Sequence, residues 1–200
     1  MKDGLRIGIY AGTFNPVHAG HITFALQAIQ AASLDKVYFL PERRPRHKTD
    51  VEHFGHRVAM LERATRPHPQ FEVMELVDVS FSVERTLPKL RKAFPDSQLV
   101  FLFGSDVVGD LPDWPRVERL LKDSELVIGL RQGDEVVVIK ELISEWPQAP
   151  IDLILFDSFA PHVSSGRIRE ALRRRKRTAG LLRSVEHYSN RHWLYVSLAD

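Results

Sequence analysis

Two hundred residues are enough for one domain with a substantial core. The chain is 44% hydrophobic and 27% charged, has no cysteine and carries a formal net charge of only +2. This balance excludes a disulfide scaffold, thiolate chemistry and a global electrostatic pull toward nucleic acid or membrane, and no apolar run is long enough to span a bilayer.

In chain order, the apolar run Leu5–Tyr10 predicts a first strand, with no charged-then-apolar signal segment before it, so a cytoplasmic location is expected. Ile22–Ala32 follows as a helix whose apolar stripe is Ile22, Ala25, Leu26 and Ile29. Lys36–Leu40 predicts a second strand. The segment Glu42–Phe54 is polar, basic and broken by proline, and reads as a long mobile loop. Helices are then expected at His56–Thr65 and Ser82–Ala93, with a short extended piece around Phe71–Leu76 between them. Strands at Gln98–Phe103, Glu125–Leu130 and Asp152–Phe156 alternate with helices at Pro115–Lys122, Glu135–Glu145 and Gly166–Arg175. The strands are continuously apolar, which suits burial on both faces. Such alternation predicts an α/β fold, a doubly wound parallel sheet in one domain over 1–200, the last ~35 residues forming a small helical cap. Within that cap, Arg173-Arg174-Arg175-Lys176-Arg177 reads first as a solvated helix end whose cations complement the dipole. The other reading is a patch for RNA or nucleotide phosphates.

In an open parallel sheet, ligands collect at the carboxyl ends of the strands, so the segment after Tyr10 is a candidate site. Gly12 admits close approach of a ligand and Pro16 stiffens the turn. His18 and His21 stand near the start of the first helix, where free N–H groups and the dipole favour an anion. Two imidazoles on one side of such a terminus make a phosphate cradle. A zinc site would need further ligands, and no His-x-x-Glu-His supplies them. Gly-x-Ser-x-Gly, the P-loop and Gly-x-Gly-x-x-Gly are all absent, against a hydrolase, a P-loop enzyme or an ordinary dinucleotide binder.

The stretch Gly12-Thr13-Phe14-Asn15-Pro16-Val17-His18-Ala19-Gly20-His21 resembles the (H/T)xGH signature of the adenylyl- and cytidylyltransferase superfamily. Further segments, in order, resemble the nicotinate/nicotinamide mononucleotide adenylyltransferases. Pro45-Arg46-His47-Lys48 is similar to Pro-Pro-His-Lys, and His56-Arg57-Val58-Ala59-Met60-Leu61 to His-Arg-x-x-Met-Leu. Phe103-Gly104-Ser105-Asp106 with Trp114 resembles Gly-x-Asp and a downstream tryptophan. Val163-Ser164-Ser165-Gly166-Arg167-Ile168-Arg169 resembles Ile-Ser-Ser-Thr-x-Ile-Arg, and Val185-Glu186-His187-Tyr188 with Leu194-Tyr195 resembles a closing helix and strand. Three departures stand out. Asn15 replaces the aspartate usual in bacterial members, Gly166 replaces a threonine, and Ser80–Leu87 carries one residue more than Ser-Tyr-Thr-x-Asp-Thr-Leu.

The resemblance implies a Rossmann-like fold and transfer of AMP from ATP to a pyridine mononucleotide, nicotinate mononucleotide being expected, to give deamido-NAD and pyrophosphate. It implies ATP-binding roles for Gly12, Thr13, Phe14, Asn15, His18, His21, Gly104, Asp106, Ser164, Ser165 and Arg169. His18, His21, Lys48 and Arg169 would carry the chemistry, and Lys48, Thr86 and Trp114 would meet the mononucleotide. The histidines, with unperturbed pKa values near neutrality, are expected to protonate readily beside phosphates. Asp106 reads from its place alone as a ribose contact or an N-cap, and Trp114 as a stacking partner or core. Mg²⁺ is expected to arrive with ATP, no carboxylate cluster being dedicated to a metal. No membrane or nucleic-acid partner is expected. Alternatives are a nicotinamide mononucleotide or pantetheine-phosphate adenylyltransferase, or a non-catalytic nucleotide- or RNA-binding regulator of the same fold.

Overall fold

The computed structural model describes residues 4–45, 48–158 and 162–196, so Arg46 and His47 of the Pro-Arg-His-Lys segment lie outside the described residues. The elements run β1 (Arg6–Gly12), α1 (Ala19–Ala32), β2 (Lys36–Pro41), α2 (Phe54–Thr65), β3 (Phe71–Val73) and α3 (Val83–Ala93). They continue as β4 (Gln98–Gly104), α4 (Val117–Asp123), β5 (Glu125–Leu130), α5 (Val136–Ser144), β6 (Leu153–Asp157), α6 (Ser165–Arg173) and α7 (Arg183–Arg191). All strand pairs are parallel, in the order β3-β2-β1-β4-β5-β6. The order reverses at β1, whose two neighbours are β2 and β4, so the chain leaves β1 and β4 on either side of a crevice.

Successive side chains of β4 divide between two apolar layers. Val100 and Leu102 join Phe24, Ala28, Met60, Leu61, Ile168 and Val185 on the face covered by α1, α2, α6 and α7. Leu99, Phe101 and Phe103 join Val83, Leu87, Leu120, Ile139 and Trp146 on the face covered by α3, α4 and α5. A strand buried on both faces needs apolar residues at every position, which is why these strands read as continuous runs. The C-terminal helices α6 and α7 belong to the same layer as α1 and α2. No helix among the described residues is long and apolar enough to cross a membrane.

Three differences from the expected elements have local causes. Helix α1 starts at Ala19 instead of Ile22, because His18 takes the extended N-cap conformation and brings His21 into the first turn. Strand β3 stops at Val73, and the last backbone bond from this piece to β2 is Met74 N–H to Phe39 O, 2.9 Å. Leu194-Tyr195 is a turn and not a strand, Tyr195 having a left-handed φ of 59°.

Candidate active site

The turn between β1 and α1 is built inward. Phe14 adopts a left-handed φ of 48°, a region costly for a bulky residue. Its ring is buried edge-on against Tyr10 and His21, at centroid distances of 5.4 and 5.1 Å, and this packing holds the backbone there. Gly12 leaves room for that ring, since a Cβ would come within 3.1 Å of it. His18 N–H donates to His21 Nδ1 at 3.2 Å, which leaves the proton of a neutral His21 on Nε2. The two rings stack with centroids 3.7 Å apart.

Burial, reinforced by Arg131, pushes His18 down to about 4. Burial, then His18, Arg131 and Lys48, push His21 well below its ordinary value. With only protein groups around them, both rings are therefore uncharged at neutral pH and act as neutral hydrogen-bonding groups; the expectation of ready protonation concerned rings beside phosphates. The near-neutral value holds only for a solvated imidazole.

The two ends of the segment between β2 and α2, at Glu42–Arg43 and at Glu52, are pinned by one buried cation. Arg57 is 1% exposed. Its Nε donates to Glu52 O at 3.0 Å, Nη1 to Thr13 O at 2.6 Å, and Nη2 to Glu42 O and Arg43 O at 2.7 and 3.2 Å. Four carbonyl dipoles stand in for a counter-ion, while burial lowers its pKa. Lys48 reaches back from this loop, donating from Nζ to Thr13 Oγ1 at 2.9 Å. Asp50 on the same loop receives Arg173, and Arg169 Nε lies 3.6 Å from it. The guanidinium of Arg173 holds the Asp50 carboxyl below its usual range. Arg173 pairs with Asp50 of this loop and Arg174 with Glu170 at 2.8 Å, while all five residues of the basic run, Arg173 to Arg177, are exposed.

Helix α6 brings its N-terminus to the same place. Ser164 caps it, accepting from Arg167 N–H at 3.3 Å, and Ser165 Oγ donates to Pro16 O at 2.9 Å, tying α6 to the β1–α1 turn. Arg169 Nη1 donates to Asn15 O at 2.9 Å. A side chain at Gly166 would meet open space, so the departure from threonine removes a hydroxyl without being sterically required.

Across the crevice, Asp106 folds back over Gly104, where a Cβ would lie 2.6 Å from its Oδ1. Asp106 sits inside a single 3-10 turn (Ser105–Val107) instead of capping it, and pairs with Arg131 Nη2 at 2.9 Å. Trp114 packs edge-on against Phe103 at 5.7 Å and tilts toward Phe81 at 5.9 Å while still bordering the crevice.

One cavity of about 830 Å³ is lined by Gly12, Thr13, Phe14, Asn15, His18 and His21 from the first turn. Lys48, Gly104, Asp106, Trp114, Ser164, Ser165 and Arg169 complete its predicted lining. Thr86 is the predicted residue that does not line it. Its hydroxyl is fully buried, donating to Asp78 Oδ2 at 3.2 Å and accepting from Ser82 N–H at 3.1 Å. Glu84 and Arg85 are exposed and also stand apart from the cavity. Sequence reasoning missed Glu42, Asp50, Phe81 and Arg131, which do line it. For Arg131 a signal existed, since it is the first charged residue after β5, at the strand end where ligands gather. Glu42 carried the same signal directly after β2, while nothing local distinguished Asp50 and Phe81.

Two polar atoms of lining residues are buried without a hydrogen-bond partner, His18 Nδ1 and Arg169 Nε, the latter facing the Asp50 carboxylate only at ion-pair distance, 3.6 Å. Buried polar groups are normally paired, so both suit the oxygens of an anionic ligand. Among the described residues no group of three or more His, Asp or Glu is placed to hold a metal ion.

Residues 9–171 match the model of the cytidylyltransferase-like family. The nicotinate-nucleotide adenylyltransferase of Bacillus subtilis (strain 168) is 32% identical over 200 residues, covering 96% of this chain and 99% of the relative. A probable nicotinate-nucleotide adenylyltransferase of Thermus thermophilus is 34% identical over 198 residues, covering 96% of this chain and all 100% of the relative. Among solved structures, the Plasmodium falciparum nicotinic acid mononucleotide adenylyltransferase complexed with NaAD superposes with a TM-score of 0.80. That match covers 96% of this chain and 97% of the other at 18% identity, and speaks for the fold alone.

Proposed function

The chain belongs to the cytidylyltransferase-like family, among its nicotinate-nucleotide adenylyltransferases, and from this we infer that it transfers AMP from ATP to nicotinate mononucleotide. A 5′-phosphate oxygen of the mononucleotide attacks the α-phosphorus of ATP. The bond from that phosphorus to the α,β-bridging oxygen breaks, pyrophosphate leaves with the electron pair, and deamido-NAD is formed. The attacking oxygen is already anionic, so no strong base is needed. Catalysis lies in bringing two anions into line and stabilising spreading charge.

The observation that carries this reading is the meeting of two helix N-termini, those of α1 and α6, at one cavity lined by the buried His18 and the half-buried His21 and Arg169. In our reading His21 donates from Nε2 and His18 from its free nitrogen to phosphoryl oxygens as charge develops. Arg169 and the N-terminus of α6, with Ser164 and Ser165, receive the pyrophosphate, and Lys48 meets the incoming phosphate. Asp106 accepts from ribose hydroxyls, exchanging its contact with Arg131, and Trp114 offers a face to the pyridine ring. Gly12, Thr13, Phe14, Asn15 and Gly104 shape the approach to ATP. Mg²⁺ arrives as part of the ATP substrate. The cysteine-free chain suits a reducing compartment, and we place the enzyme in the cytoplasm.

Pyrophosphate release from ATP with each pyridine mononucleotide tests this. Turnover is expected with both ATP and nicotinate mononucleotide present, with kcat/KM at least about tenfold above that for the amide, the scale set by unpaired buried polar groups. Absence of turnover with either mononucleotide would leave a binding module and overturn the reading.

A further inference from the structure

Asn15 joins four separate parts of the chain. Its side-chain Nδ2 donates to Asp50 O at 2.9 Å, and its Oδ1 accepts from Glu52 N–H at 3.2 Å and from the Tyr195 hydroxyl at 2.9 Å. Its carbonyl accepts from Arg169 at 2.9 Å. Tyr195 in turn donates its backbone N–H to Glu52 Oε1 at 3.1 Å. The orientation of the amide is fixed by its neighbours, because a backbone carbonyl must accept and a backbone N–H must donate. Burial first, and Glu52 next, raise the pKa of the Tyr195 hydroxyl, so it keeps the proton it gives to Asn15.

This clasp closes across loop 48–53, which carries Lys48 and Asp50. Asn15 is only 3% exposed and Tyr195 6%, so the bonds are made out of water, where losing one leaves a polar atom stranded. The backbone of Tyr195 has a left-handed φ of 59°. Position 15 departs from the aspartate of the resembled family. An amide supplies both the donor that Asp50 O needs and the acceptor that Tyr195 and Glu52 need, whereas a carboxylate supplies only acceptors.

We propose that Tyr195 is a positioning residue for the adenylyl-transfer reaction, acting through Asn15 to hold loop 48–53, and with it Lys48, in place for the mononucleotide phosphate. The proposal rests on the function inferred above. The test compares wild type, Tyr195→Phe, Asn15→Ala and the double variant. Three readouts are needed: hydrogen exchange at the Glu52 amide in the ligand-free protein, steady-state kinetics and thermal melting. Tyr195→Phe is expected to speed Glu52 exchange about tenfold and raise KM for the mononucleotide about tenfold, the scale of one buried hydrogen bond. KM for ATP and kcat should stay within about threefold, and the double variant should behave like Asn15→Ala alone.

Unchanged exchange and KM in Tyr195→Phe would overturn the proposal while wild-type turnover left the enzyme reading standing. A lowered melting temperature with reduced kcat and normal KM would assign Tyr195 a merely structural role and overturn it as well. Additive effects in the double variant would show that Tyr195 does not act through Asn15. Wild type without turnover would instead sink the underlying reading, and the reaction role of Tyr195 with it.

Discussion

The two walls of the cavity hold their polar groups in different ways. On the wall formed by the β1–α1 turn and loop 42–53, Asn15 and His18 are buried and Arg57 of α2 is buried behind them; the side chains of Asn15 and Arg57 bond to the backbone of other segments, and the His18 N–H bonds to the His21 ring. On the wall formed by the ends of β4 and β5, Asp106 and Arg131 pair with each other, their side chains 52% and 59% exposed. An ion pair in water is weak and exchangeable, whereas a buried polar group is held by every partner it cannot replace. The buried contacts of the first wall are therefore fixed by the fold, and the ion pair of the second is free to exchange.

The sharpest way to break the first wall is Arg57→Ala. Four carbonyls from Thr13, Glu42, Arg43 and Glu52 lose their donor, and a loss of about 3–5 kcal/mol in urea unfolding is expected. A loss below about 1 kcal/mol would mean that water replaces the guanidinium and that the wall is not preorganised by it. His21→Ala keeps the loop anchors and removes a donor, so kcat should fall about 100-fold or more with the fold intact by circular dichroism. Near-normal turnover would remove His21 from the chemistry.

Acid probes the same wall more gently. The folded-state pKa of His18 is about 4, below the usual value of 6.5 that applies when the chain unfolds. Between those values the unfolded chain binds more protons, so this contribution to stability is present near pH 7 and is lost as pH falls from about 6.5 toward about 4. From pH 7 to 4.5 the loss attributable to His18 is on the order of 2–3 kcal/mol, read as the difference between wild type and His18→Asn in denaturant unfolding. A parallel pH dependence in the two proteins would contradict burial of a neutral ring.

The exposed wall should give the smallest response. Arg131→Ala is expected to change stability by less than about 1 kcal/mol, the scale of a solvated ion pair. A loss of several kcal/mol would erase the distinction between the walls.

Much of this molecule is written locally. Every strand and the first six helices follow from apolar runs and helical periods, because a strand buried on both faces and a helix with one apolar stripe each leave a pattern within a few residues. The lining of the candidate site was legible for a related reason: ligands gather where strands end, and Gly12, His18, His21, Gly104 and Asp106, which follow strand ends, line one cavity. Helix α7, whose middle is polar, was visible only through resemblance. Thr86 shows the limit in the other direction, a motif residue whose hydroxyl packing turned inward to Asp78.

By itself, then, the sequence determined the alternation of elements, the strand ends and the kinds of group available to meet phosphate. Tertiary structure alone decided how those groups behave. Only burial makes His18 and His21 neutral, since a pKa depends on the dielectric and charges around a ring and not on its neighbours in sequence. Only packing brings Arg57 to four carbonyls and Arg173 to Asp50. The Tyr195 hydroxyl meets Asn15 across 180 positions of chain, a separation over which no local pattern extends, and their contact exists because the layer of α1, α2, α6 and α7 closes over the sheet.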